Sequence, residues 1–145
     1  MAEQVNLGQL LLRAFRWFDE SLVSALHAAG WPEVTRAHSL VFAQLGPAGT
    51  RTAEIARRAG VSRQAVHQTV RELQQLGLVE LVPDPVNRSA KLVVATDRGR
   101  ESTRVALATL AALEVELTHR LGRRRVQALR EALEADWGPI IDARA

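Results

Sequence analysis

Apolar residues recur at three- and four-residue steps through the first thirty residues: Leu7, Leu10, Leu11, Ala14, Phe15, Phe18, Leu22 and Leu26. That spacing predicts an amphipathic helix over about 5–29, closed by Gly30. A second helix is expected from Pro32 or Thr35 to Leu45, with Val34, Leu40, Val41 and Leu45 on its buried side. The segment GPAGT then breaks the chain. From Val105 the helical period returns through Leu107, Leu110, Leu113, Leu117 and Leu121. LGRRR marks a bend, after which Val126, Leu129, Leu133, Trp137 and Ile140 continue the pattern.

The centre is more tightly punctuated. TAEIARRAG predicts a short helix with Ile55, Ala56 and Ala59 inward, ending at Gly60. Ser62 stands where an N-cap belongs, its hydroxyl placed to accept from an unpaired amide of the next turn. The helix that follows buries Val66, Val70 and Leu73 and stops at Gly77. Leu78–Val82 and Lys91–Ala95 read as strands joined by the turn DPVNRSAK. Thr96 is a second N-cap, with Asp97 set against the positive end of a long helix dipole. The predicted order is α-α-α-α-β-β-α-α, a mainly α fold, read as a single domain over 1–145.

A chain of 145 residues is long enough to build a core without staples. With no cysteine, disulfides, thiol redox sensing and thiolate metal sites are excluded. No apolar run is long enough to span a bilayer, and the N-terminus lacks the layout of a signal peptide, so a cytoplasmic protein with no membrane partner is expected. The net charge of +3 is unevenly spread. Residues 1–50 balance at −1, residues 51–98 at +3 and the remainder at +1. A positive middle third suits a nucleic-acid face. Nearly all cations are arginine, Lys91 being the sole lysine. Arginine forks onto phosphate or guanine edges, although genome base composition produces the same bias.

Two short helices joined by AGVS predict a helix-turn-helix. With Val66, Val70 and Leu73 inward, the second helix presents Arg63, Gln64, His67, Gln68 and Arg71 outward. Arg pairs with guanine O6/N7 and Gln with adenine N6/N7 in the major groove. Arg63, Gln64 and His67, near the helix start, are the base-edge candidates; Gln68 adds to the set, and Arg71 suits a phosphate. Ser62 can cap the helix and donate to phosphate. Any solvated helix face carries similar residues. The hairpin placed directly afterwards changes the reading, because helix-turn-helix plus hairpin is a winged helix with Arg88 and Lys91 at the wing.

From TAEIARRAGVSRQAVHQTVRELQQLGLVE through AKLVVATDRGR, the chain resembles the MarR family of bacterial transcription regulators. The Ala-Gly-Val-Ser turn, the Leu76-Gly77-Leu78-Val79 run and the Thr96-x-x-Gly99 helix entry carry the resemblance. It implies a winged helix-turn-helix lobe over about 35–97. The segments 5–30 and 98–143 would form a helical dimerisation region. The implied function is that of a homodimer binding double-stranded DNA at a pseudo-palindromic operator, as a ligand-responsive repressor. It also implies a small aromatic or phenolic effector in a cleft between the dimer helices and the winged lobe; Trp17, Trp31, His38 and Phe42 are the candidate lining. The family's Asp-x-Arg wing signature is replaced here by Asn87-Arg88-Ser89, which removes the usual acid-to-base pairing and leaves Arg88 as the substitute cation.

Apolar stripes on the terminal helices point to a second copy as their cover, or to the two ends packing on each other. His27, His38, His67 and His119 have no histidine partner at i+3 or i+4, so no two-histidine metal site within one helix is expected. No phosphate-cradling Gly loop, nucleophile elbow or carboxylate pair is present. Neither an enzyme nor a cofactor is expected. The alternative function is a winged-helix adaptor that turns the same face to an acidic protein.

Overall fold

A computed structural model describes residues 5–142. Its elements are α1 (Leu7–Ala28), α2 (Arg36–Phe42), β1 (Thr50–Arg51), α3 (Thr52–Ala59), α4 (Arg63–Gln75), β2 (Val79–Pro83), β3 (Lys91–Ala95), α5 (Asp97–Leu121) and α6 (Arg123–Glu134). The chain divides into two compact units, residues 1–110 and 111–145. Among the described residues, no helix is long and apolar enough to cross a membrane.

Local chemistry sets most boundaries. Asn6 and the backbone of Gln9 close a capping box at the start of α1, and Thr35 does the same with His38 at α2. Gly60 ends α3 at φ 65°, a left-handed conformation that costs most side chains energy and costs glycine little. Ser62 Oγ accepts the amide of Ala65 at 3.1 Å and starts α4. Thr96 accepts from the Gly99 amide at 3.1 Å while donating to the Gly77 carbonyl at 2.6 Å, so one hydroxyl caps α5 and ties it to the end of α4. A Cβ added at Gly99 would overlap the Leu78 carbonyl oxygen, so only glycine lets α5 enter this close to the start of the hairpin.

The core of the first unit joins α3, α4 and the sheet. Ile55, Val66, Leu73, Leu78 and Val93 are its most enclosed side chains. Truncating a leucine as buried as Leu73 costs about 2–5 kcal/mol, comparable with much of a small domain's stability. Here the inward positions read from helical spacing are the ones found inside.

The sheet has three antiparallel strands in the order β1-β3-β2, one more than the sequence pattern predicts. The added strand is only two residues long, too short for any alternation to register. Thr50 pairs with Val93 and Arg51 with Leu92, while β2 runs opposite the other edge of β3 from Val79↔Ala95 to Pro83↔Lys91.

Both units leave apolar side chains in solvent. On α1 these are Leu7, Leu10, Leu12 and Phe15; in the second unit they include Val115, Leu129, Leu133 and Trp137.

Candidate nucleic-acid interface

Helix α4 buries Val66, Thr69, Val70 and Leu73, and that choice decides what faces out. Arg63, Gln64, His67, Gln68 and Arg71 are all exposed on one helix, with Ser62 exposed at its cap. Among the described residues, Arg63, His67 and Arg71 make neither an ion pair nor a side-chain hydrogen bond. Gln68 is partly engaged, donating to Glu72 Oε1 at 3.4 Å.

Glu72 is the acid of this helix, and it is turned away to an inner partner. His38 of α2 is buried, and its Nε2 lies 2.9 Å from Glu72 Oε2. Its Nδ1 accepts the Thr35 amide at 3.2 Å, which places the ring proton on Nε2 as donor to the carboxylate. The His38 and Gln68 hydrogen bonds hold the Glu72 carboxyl below its usual range. The pair therefore clamps α2 to α4 and holds one oxygen of the α4 carboxylate against α2, while the other accepts from Gln68.

The wing is steadied by a contact that the sequence motif does not announce. Asp84, at the end of β2, is almost fully enclosed although it is charged. Its Oδ1 accepts the amides of Val86 at 2.8 Å and Asn87 at 3.4 Å, and its Oδ2 takes Arg51 Nε at 2.6 Å and Nη2 at 2.5 Å. The Val86 amide first, and Arg51 next, hold its carboxyl below the usual range. Arg51 and Val82 flank Leu92 on opposite edges of β3, so this ion pair spans the sheet. At the tip, Asn87 Oδ1 accepts the Ser89 amide at 3.2 Å and the Ser89 hydroxyl at 2.6 Å. The two residues standing where the family has acid and base thus still bond, as neutral groups. The wing has an ionic anchor outside the signature positions, between Asp84 and Arg51, because β1 brings an arginine from 33 residues away. Arg88 and Lys91 are exposed and have no side-chain hydrogen bond or ion pair among the described residues.

A cavity of about 440 Å³ lies among α1, α2 and the first turns of α5. Leu22, Leu26, Phe42, Leu45, Ala106 and Leu110 supply most of its wall, with Ser39, Ser102 and Thr103 adding hydroxyls. Of the four aromatic or histidine candidates, Phe42 lines it. Trp17 stacks edge-on against Phe18, Trp31 lies under the Arg98 guanidinium at 5.2 Å, and His38 is committed to Glu72. The resemblance made the four one set, but Trp31 lies in the loop between α1 and α2, and the other contacts of Trp17 and His38 engage them away from the cavity. Ser39 is among the lining residues that sequence reasoning missed, since a serine within a helix carries no signal of what faces it. Among the described residues, no cluster of His, Asp and Glu could hold a metal.

Comparison with known proteins agrees with this architecture. The family model described as MarR family matches residues 33–88, which runs from the approach to α2 through the wing tip. The uncharacterized protein Rv2011c of Mycobacterium tuberculosis is 31% identical over 80 residues, 55% of this chain, and the match spans 56% of that relative's length. CouR from Rhodococcus jostii RHA1, solved with p-coumaroyl-CoA, superposes with a TM-score of 0.75 at 23% identity, over 97% of this chain and all of that one. CouR bound to a 23-mer DNA duplex gives a TM-score of 0.67 at 28% identity, over 88% and 89% of the two chains. Residues 33–88 thus match the MarR family model, and the fold as a whole is similar to that of the two CouR structures.

Proposed function

We propose that this chain is a sequence-specific DNA-binding transcription regulator that acts as a homodimer on a pseudo-palindromic site and represses until an effector binds. The observation that carries the reading is the outer face of α4, where Arg63, His67 and Arg71 stand exposed with no intramolecular partner to displace. A cation that must first leave a carboxylate gives up part of what a phosphate would return; these give up only water. Arg63, Gln64 and His67 read base edges, Gln68 supplements them, and Arg71 and Ser62 hold phosphates. Arg88 and Lys91 grip the backbone or the minor groove beside the wing. The DNA-bound CouR structure supports this arrangement by analogy.

Dimerisation is supported by the apolar side chains that α1 and the second unit leave in water, a pattern that marks interfaces. The effector reading rests on the cavity beside α2, which has the size and apolar lining of a small-molecule site. Its Phe42 belongs to the candidate set, while Trp17, Trp31 and His38 serve packing and the α2–α4 clamp.

The test is retardation of DNA taken from upstream of the chain's own reading frame. Binding should weaken steeply with salt, with a log–log slope of several units as counterions return to the phosphates. Failure to retain that DNA at low salt, or binding indifferent to salt, rejects the reading; salt-insensitive capture of an acidic protein would favour the adaptor.

A further inference from the structure

The cavity beside α2 carries a chemical instruction in what its wall lacks. Its lining is aliphatic, aromatic or hydroxyl-bearing, and no charged side chain contributes to it. A cavity of about 150 Å³ holds one benzene, so a volume near 440 Å³ accommodates a molecule of about two rings. Of the three hydroxyls, Ser102 and Thr103 are spent, each donating to the Gly99 carbonyl at 2.9 Å. Ser39 Oγ is different: it is buried with no hydrogen-bond partner at all. Leaving a buried hydroxyl unpaired is costly, and such an atom on a cavity wall waits for a partner that occupies the space.

Charge decides what that partner is. An anion entering this space would lose its hydration with no cation to replace it. Arg100 lines a neighbouring cavity that shares Phe42, Leu45 and Thr103, and it is already held by the Ala95 carbonyl and Asp97. We infer that the cavity takes an uncharged, largely apolar ligand of about two rings, whose single polar group, a carbonyl or hydroxyl, pairs with Ser39 Oγ. The inference rests on the effector reading of this cavity and narrows it: carboxylates and phenolates are excluded, neutral phenols and ketones are not. Ser39 also directly follows His38 in α2, and His38 holds Glu72 of α4. A ligand seated on Ser39 therefore presses on the helix that clamps the recognition helix.

The experiment is calorimetric titration of the full chain with three matched probes: benzophenone, its carboxylate derivative 4-benzoylbenzoate, and diphenylmethane, which lacks the carbonyl. Benzophenone should bind, with the carboxylate at least roughly thirtyfold weaker at pH 7 for want of a cation. Diphenylmethane should bind about five- to tenfold more weakly than benzophenone, the worth of one neutral hydrogen bond. Ser39→Ala should erase that difference by weakening benzophenone alone, and should fold at least as stably as the parent because it removes an unpaired hydroxyl. Failure of benzophenone to bind, equal or tighter binding of the carboxylate, or indifference of benzophenone to Ser39→Ala overturns the inference. Retardation of operator DNA with benzophenone present separates the two readings: binding as expected with DNA still retained upholds the ligand class and rejects the regulatory role.

Discussion

Helices α3 and α4 each carry two arginines, yet the two pairs live in different circumstances. On α3, Arg57 and Arg58 both close on Glu54, at 2.6 Å each. On α4, Arg63 and Arg71 have no acid, because the only carboxylate of that helix is drawn inward by His38. Sequence composition rates the two helices as equally basic. The comparison teaches that what a cation can do for a partner depends on what it is already doing. Glu54 neutralises much of the field of the first helix, while the second presents its charge undivided.

The difference can be attacked directly. Arg63→Ala should show the largest effect, about 1–3 kcal/mol of operator affinity, with specificity relaxed at one position and the fold unchanged. Competition binding against a library of site variants measures it; affinity equal to the parent would remove Arg63 from the recognising set. Next comes the wing. Arg51→Ala leaves Asp84 enclosed without its ion pair, and operator affinity should fall about fivefold as the wing loses its fixed posture over the phosphates. Faster amide hydrogen exchange at Val86 and Asn87, whose amides Asp84 accepts, would locate that loss, and unchanged exchange there would argue against the anchor.

Arg57→Ala should change operator affinity by no more than about twofold, since an exposed i,i+3 ion pair is worth little and the arginine is already occupied. A loss as large as that of Arg63→Ala would collapse the contrast between the helices. The smallest effect concerns acid. The Arg57 hydrogen bond, with Arg58 adding to it, lowers the Glu54 carboxyl to about 2. A folded-state value below the unfolded one means that its stabilisation is complete above about pH 4.5 and is lost as pH falls toward 2. Part of the drop in melting temperature across that window should vanish in Glu54→Gln; an identical acid profile in that variant would show that the pairing contributes nothing.

Legibility from the sequence followed the range of the interactions. Val66, Val70 and Leu73 repeat at helical spacing and are buried. Ser62 and Thr96 were readable as caps because each acts on an amide three residues away. The outward set on α4 follows from the inward one by subtraction, so most of the candidate DNA-binding face could be named in advance. The substitution of Asn87 and Ser89 into the wing signature was equally visible, but its meaning was not. Two neutral side chains bond across that position, and the ionic anchor sits elsewhere.

What the sequence by itself determined, then, is the succession of the helices and of the two hairpin strands, the inner and outer faces of α4, and the positive balance of the middle third. These rest on periodicity, capping and turns, which act over three or four residues and leave a mark at that spacing. Tertiary structure alone decided that Arg51 reaches Asp84 across 33 residues and His38 reaches Glu72 across 34. It alone decided that β1 exists, that Ser39 faces a cavity, and which arginines remain unpaired. Eighteen arginines and sixteen acids allow far more pairings than one chain can make. Only the fold, by fixing which backbones lie side by side, selects among them.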